Sequence, residues 1–257
     1  DVWNAFLEQL DAMVGRVVDH VIATADERSE IAPVPLLSAL IEGTIEARRD
    51  LTRGGAKYRT FGMLAESAAH AIDSLSAIKQ VVFEDREICM RELCDALDSN
   101  FDGAARIRRR LLDAPHYGNA NDDADEIGRR VIDAFTSCVS RHAARHHTNL
   151  LFPCGVATFS WYIGIGQGLG PSADGRRAQE PVASNFSPAL GRDREGVSGA
   201  IASYSRMLHE KLPAGGPLDL RISRKLVEGT VGTGRMTALI RSLVELGGSM
   251  MTLTVAD

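Results

Sequence analysis

The sequence is poor in the groups from which catalytic centres are usually assembled. Its four cysteines, Cys89, Cys94, Cys138 and Cys154, show neither CxxC nor metal-site spacing, and reduced cytosolic thiols are the simplest reading. No apolar run approaches the roughly 20 residues of a membrane span, and the N-terminal residues lack a signal-peptide pattern. The 29 basic and 34 acidic residues give a formal net charge of −5, so no basic surface for nucleic acid is advertised. No Ser-His-Asp set, phosphate-binding glycine loop, nucleotide fingerprint or metal quartet is legible. Repeats and low-complexity tracts are absent. What remains is an ordinary globular composition, 44% apolar and 25% charged, and 257 residues suffice for one large domain or two small ones.

The first half reads as helix. Trp3, Phe6, Leu7, Leu10, Met13, Val14, Val17, Val18, Val21 and Ile22 recur at three- and four-residue steps, which predicts an amphipathic helix with one broad buried face. Pro33 and Pro35 break it, and a second helix with Leu36, Leu37, Leu40, Ile41 and Ile45 inward is expected to run to about Arg49. Gly54 and Gly55 then force a turn with close backbone packing. A long helix follows, with Met63, Leu64, Ala68, Ile72, Leu75, Ile78 and Val82 inward. Its Asp73 has two readings, a ligand-binding carboxylate or a buried anchor accepting loop amides.

Residues 86–113 predict two helices broken near Ser99-Asn100. Arg108, Arg109 and Arg110 are consecutive and so point in different directions, which favours a solvated face over a phosphate patch. Asp122, Asp123, Asp125 and Glu126 open the next helix, where the dipole explains them without a metal. That helix, 124–147, should bury Ile127, Val131, Ile132, Phe135, Cys138 and Val139. His142, His146 and His147 close it. The i,i+4 pair has the geometry of a zinc site but no Glu or Cys at zincin spacing, and histidine suits a helix C-terminus, so no metal is expected.

From Leu150 to Trp161 the chain reads as strand–turn–strand. Beyond the loop described next, 197–208 is apolar and helical, Leu218, Leu220 and Ile222 alternate as a half-buried strand, 232–246 is an amphipathic helix, and Met251, Leu253 and Val255 form a last strand. The fold class is α/β, 1–147 mainly helical and 148–257 strands, loop and helices, with a sheet that needs a partner. Both ends have the look of cuts within a longer polypeptide.

The chain is organised around Gly170–Gly196, GPSADGRRAQEPVASNFSPALGRDREG. Val182, Phe186, Pro188, Ala189 and Leu190 sit between two charged clusters, which marks an ordered, wrapped loop rather than a disordered one. Its charges either pair with one another to hold the loop or serve a function. The run resembles the signature loop of the glycyl radical enzymes, the pyruvate formate-lyase family and its dehydratase, decarboxylase and lyase relatives. That pattern reads approximately G-A-T-P-D-G-R-(R/K)-A-G-E-P, then S-P…G-R-D…G. Here Ser172-Ala173 stands for Thr-Pro and Gln179 for Gly. The stretches DLTRGGAKYR, DSLSAIK, LCDALDSNF and LLDAPHYGN resemble family segments in the same order, so the likeness covers nearly the whole chain.

The resemblance implies a segment forming roughly the second half of a ten-stranded α/β barrel, all of 1–257 belonging to one such domain. In the family, a cysteine loop and a glycine-radical loop meet at the barrel centre, and a thiyl radical acts on a small organic substrate. A radical-SAM activating enzyme installs the glycyl radical. The segment lies between these loops. It contains neither the G-C-(V/I)-E nor the R-V-x-G-Y pattern, so it should bind no cofactor itself, hold no catalytic residue and be inactive alone. The implied protein is a cytoplasmic enzyme of anaerobic metabolism, a lyase, dehydratase, decarboxylase or formate acetyltransferase-like transferase. It is expected to be a homodimer when full length, with no nucleic-acid or membrane partner. Phe152, Thr158, Phe159 and Trp161, on the strand feeding the loop, are candidate substrate contacts, with packed barrel core as the alternative. Gly54, Gly55, Asp73, Asn119, Asp174, Gly175, Arg176, Arg192 and Asp193 are candidate structural anchors. Thr252 and Thr254 stand where relatives carry Gln and Asn. That departure supports a second reading, a degenerate member without radical chemistry, and a stand-alone α/β binding module is the third.

Overall fold

The computed structural model describes residues 2–25, 27–146 and 148–256. The chain divides into two compact units, one of residues up to Met63 together with Ala134–Cys154, the other of Leu64–Asp133 with Gly155 onward.

In the first unit, helix α1 (Val2–Thr24) follows the predicted span, but its buried face is narrower than the apolar periodicity implies. Val14, Val18 and Val21 are buried, whereas Met13 and Val17 are exposed. The expected second helix does not form. Residues 35–47 make only two short turns, Pro35–Ser38 and Thr44–Ala47. Gly43 interrupts them at φ +96°, and Leu36, Leu40 and Ile45 stand largely exposed. Side-chain capping by Asp50 shapes the segment instead. Its carboxylate accepts from Val34 N (3.1 Å), Ser38 Oγ (2.8 Å) and Thr52 N (2.9 Å). The Asp50–Gly55 turn that follows contains Gly54 at φ +74°. Gly55 needs no unusual angle, but a Cβ there would lie 1.9 Å from the Arg49 carbonyl oxygen. A two-residue strand β1 (Arg59–Thr60) pairs in parallel with β2 (Leu150–Leu151).

Met63–Leu64 is extended rather than helical, and in the second unit α2 (Ala68–Ala77) starts later than its apolar pattern suggests. Ser67, at φ +63°, precedes it. A π-helical stretch, Ile78–Glu84, continues it. Helices α3 (Met90–Asp98) and α4 (Ala105–Asp113) then break where expected. Val81, Leu93, Phe101 and Leu111 form one apolar cluster with Ala173 of the loop. Helix α5 (Asp122–Ala143), whose residues up to Asp133 belong to this unit and from Ala134 to the first, buries all six residues that its 3.6-residue period selects. Helix α6 (Gly196–Ser205) leaves the loop. Strand β3 (Leu218–Ser223) has Leu218, Leu220 and Ile222 buried, as the alternation requires. Helix α7 (Gly229–Glu245) returns the chain to β4 (Met251–Ala256), parallel to β3 in the register Leu218↔Met251.

The strand–turn–strand expected over 150–161 is reduced to the pairs Leu150–Leu151 and Cys154–Gly155, and Phe159–Trp161 is a 3-10 turn. Here Asn185 outcompetes β propensity, because its side-chain oxygen accepts the amides of both Thr158 and Phe159 (3.0 Å each). No described helix is long and apolar enough to cross a membrane.

Candidate functional site

The loop between Gly170 and Gly196 is built inward onto the second unit. Phe186 is fully buried, stacked on Tyr117 (centroids 5.5 Å apart) and edge-on to Tyr204 (5.9 Å). Val182, Pro188 and Ala189 are buried with it, while Leu190 is exposed. The Tyr117 hydroxyl donates to the Phe186 carbonyl at 2.9 Å, so the aromatic core and the loop backbone are one structure.

The Asp174-Gly175-Arg176 turn folds its side chains back on the loop. Asp174, with no solvent exposure, accepts from the Ser172 hydroxyl, from Arg176 N (3.3 Å) and from His70 Nδ1 (2.6 Å). The other His70 nitrogen, Nε2, accepts from Ala183 N at 3.1 Å. Because an amide can only donate, Nδ1 must carry the imidazole proton and donate it to Asp174. His70 therefore ties the turn to the loop nine residues further on. Burial disfavours the Asp174 charge, yet the bonds from His70, Ser172 and the Arg176 amide outweigh it and hold the carboxyl at about 2. The Arg176 guanidinium donates to the carbonyls of Arg177 (3.1 Å), Glu180 (3.0 Å) and Gly170. Gly175, at φ +88°, lies against Leu112.

The second charged cluster is fastened by Asn119. Its amide nitrogen donates to the carbonyls of Arg192 (2.8 Å) and His116 (3.2 Å), and its oxygen accepts from Glu195 N (3.1 Å). Arg192 reaches the Asp174 carbonyl at 3.4 Å. Asp193 is exposed, and only its carbonyl takes part, accepting from Gly196 N. The loop's arginines thus bond mainly to backbone carbonyls rather than to the loop's own carboxylates.

Asp73 is buried in the same unit and accepts from Tyr117 N at 2.8 Å. Its second oxygen faces His116 Nδ1 at 3.4 Å. His116 Nε2 lies 3.0 Å from the Leu112 carbonyl and must donate there, which leaves Nδ1 bare in a neutral ring. A proton between Asp73 and His116 removes the lone-pair conflict, and burial favours it by pushing the Asp73 carboxyl up. Asp73→Asn is therefore expected to be neutral or stabilising. The amide oxygen keeps the Tyr117 bond, and the NH2 group donates to His116 Nδ1. A raised folded-state carboxyl disfavours the fold progressively as pH climbs above about 4, through the folded-state value. The variant's advantage in thermal melts should accordingly widen from pH 4 upward, and a fall in melting temperature at neutral pH would contradict the geometry.

The candidate substrate contacts do not form one surface. Thr158 is buried and its hydroxyl accepts from Asn185 N at 2.8 Å. Phe159 and Trp161, 67% and 70% exposed, stand at the surface of the second unit. Phe152 belongs to the first unit, where it packs on Phe61 (6.4 Å). Gly54 and Gly55 form the turn of that unit.

Three residues that fasten the loop carry no motif signal by themselves. His70 is a lone histidine on an apolar helix face, although it lies one turn before Asp73 and shares its side of the helix. Asp219 reads only as the polar partner in a strand alternation, yet it accepts from Ser184 Oγ (2.5 Å), Asn185 Nδ2 (2.6 Å) and the Thr252 hydroxyl. Asn185 is the third. Thr252 is thus engaged in loop support through Asp219.

The histidines at the end of α5 are accounted for by α1. His142 Nε2 lies 2.9 Å from Asp11 and His146 Nε2 2.8 Å from Asp19; His147 lies outside the described residues. Hydrogen bonds from Arg141 and then His142 hold the Asp11 carboxyl at about 2. Among the described residues no group of three or more His, Cys, Asp or Glu side chains is placed to hold a metal. The four cysteines are unpaired, and burial pushes the Cys154 thiol up to about 11. Of the three consecutive arginines, only Arg109 lies on a solvated face. Arg108 donates to the Gly175 carbonyl and Arg110 to Glu87.

A family model described as pyruvate formate lyase-like matches residues 1–166. The chain belongs to this family of glycyl radical enzymes. It is 29% identical over 262 residues to the trans-4-hydroxy-L-proline dehydratase of Clostridioides difficile, covering 100% of this chain and 32% of the relative. With the isethionate sulfite-lyase of Bilophila wadsworthia it shares 32% identity over 252 residues, 96% of this chain and 30% of the relative. The crystal structure of hydroxyproline dehydratase from C. difficile, with trans-4-hydroxy-L-proline bound, superposes at TM-score 0.92 and 30% identity over 99% of this chain and 32% of its own. A glycyl radical enzyme from Archaeoglobus fulgidus gives TM-score 0.92 and 31% identity over 100% and 33%. The chain spans about a third of the length of these relatives.

Proposed function

We propose that this chain is the loop-bearing portion, roughly the second half, of a ten-stranded α/β barrel in a glycyl radical dehydratase or lyase acting on a small organic substrate. The observation that carries the reading is the match along essentially the whole chain to dehydratases and a sulfite-lyase, with the fold retained at TM-score 0.92. A glycyl radical, installed by a radical-SAM activating enzyme, would supply hydrogen abstraction by way of a thiyl radical. The residues present here would do something different. Asp174, Arg176, Asn119, His70 and Asp219 fix the loop, and so hold the surrounding barrel in one geometry and keep water from its centre. Phe159 and Trp161 offer exposed aromatic faces on the substrate side. We place the complete protein in the cytoplasm, as a homodimer.

The test is electron paramagnetic resonance under anaerobic conditions, with the activating enzyme and S-adenosylmethionine. A glycyl doublet is expected from the full-length protein and none from residues 1–257, which carry neither radical motif. A doublet from 1–257 would overturn the assignment of this segment, and silence from the full-length protein would overturn the radical-enzyme reading.

A further inference from the structure

A cleft of about 360 Å³ opens between α4 and the loop, and its lining is strongly one-sided in charge. Arg108 and Arg109 of the helix and Arg177, Arg192 and Arg194 of the loop surround it, with Asp113 as the only carboxylate in the lining. Such a concentration of guanidinium groups is out of keeping with a chain of net charge −5.

Four of the five arginines are oriented by backbone carbonyls. Arg108 donates to the Gly175 carbonyl (2.9 Å), Arg177 to Asn100 (2.7 Å), Arg194 to Leu112 (2.8 Å) and Arg192 to Asp174 (3.4 Å). A carbonyl oxygen fixes the direction of a guanidinium and occupies one or two of its five donors, but leaves its charge intact. Four of the five also meet a carboxylate, three of them at the long end of the ion-pair range. Arg177 meets Asp102 at 3.0 Å, while Arg108–Glu180, Arg109–Asp113 and Arg194–Asp113 run from 3.5 to 3.8 Å. Among the described residues Arg192 has no carboxylate at ion-pair distance. Burial, and then Arg194 and Arg108 against the opposing pull of Asp174 and Asp73, draw Arg192 below the ordinary guanidinium value. A dianion in the cleft would relieve this crowding, and planar guanidinium forks match tetrahedral oxyanions by paired hydrogen bonds. The volume lies at the small end of the range for ligand pockets.

We propose that this cleft is a binding site for a phosphate dianion, either free or borne by a small phosphomonoester. The proposal rests on the cleft's own residues and stands whether or not the radical-enzyme reading does. Isothermal titration of the full chain at pH 8 with inorganic phosphate and with glycerol 3-phosphate, against sodium chloride at matched ionic strength, tests it. Saturable binding to one site is expected for at least one of the two. The arm that binds identifies the source, since equal affinities mean the phosphate group alone is recognised and a preference for the ester means the bearer contributes. Arg192→Gln and Arg109→Gln should each weaken binding by about fivefold or more. Arg109 is 82% exposed and, among the described residues, its side chain pairs with Asp113 alone, so its replacement leaves the fold intact even if that of Arg192 does not. Arg235→Gln, on the exposed side of α7, should change nothing. Heat no different from that of chloride, or affinity retained in Arg109→Gln, would overturn the proposal.

Discussion

Asp174→Asn is expected to lower the stability of the chain by about 3 kcal/mol, from lost charge-assisted bonds and a stranded buried donor, or roughly 6–12 °C in melting temperature for a chain of this size. Every atom that Asp174 meets donates to it: Ser172 Oγ, Arg176 N and His70 Nδ1. An asparagine must turn its NH2 group toward one of these donors, whichever way the amide is oriented. The sign of the pH dependence follows from the carboxyl being held at about 2. Its stabilising contribution is full above the unfolded carboxylate value near 4 and is lost as pH falls through 2. The deficit of the variant should therefore be constant at neutral pH and shrink on acidification. Asp73→Asn should behave in the opposite sense, since burial pushes that carboxyl up. Thermal melts of both variants between pH 2.5 and 8 separate the two carboxylates. An unchanged melting temperature for Asp174→Asn at pH 7 would mean that the turn is held by other contacts.

Gly55→Ala should be the more damaging of two neighbouring substitutions, at about 3 kcal/mol for a forced backbone shift, although Gly55 has the less unusual backbone. The new methyl would meet the Arg49 carbonyl oxygen at 1.9 Å and its carbon at 2.6 Å, and a carbonyl cannot swing aside without breaking the Asp50 cap. Gly54→Ala pays mainly for the left-handed conformation, about 1–2 kcal/mol. Its Cβ would approach only the Arg59 side chain, at 3.0 Å, a flexible chain that need give by only a few tenths of an ångström. Urea unfolding of the two variants gives the order directly. A larger loss for Gly54→Ala would show that conformational strain, not close approach, governs this turn.

The sequence announces what is local. The six apolar residues that the period of α5 selects are all buried, and the alternation of β3 gives its inner face. The loop's apolar residues distinguish it from a disordered linker. Failures occur where distant groups decide the local structure. Leu36, Leu40 and Ile45 have helical spacing, but Gly43 and the Asp50 cap impose short turns instead. Phe159 and Trp161 carry β propensity, but Asn185 takes the amides that a strand would use. At the site, Asp174 and Arg176 could be named because turn chemistry acts over a few residues. His70 and Asp219 could not, since their partners lie 104–113 and 33–35 positions away in the chain.

These separations bear on the order in which the molecule assembles. The loop contains no regular helix or strand of its own between Gly170 and Glu195, and the groups that receive it sit on α2, near Asn100, at Asn119 and on β3. Bringing such remote segments together costs chain entropy before any bond forms to repay it. The helices can form from local contacts alone, whereas the loop has nothing to fold against until α2, the 100–119 segment and β3 are already docked. It is therefore expected to close last, so that an ordered Asp-Gly-Arg turn would report that the rest of the second unit is in place.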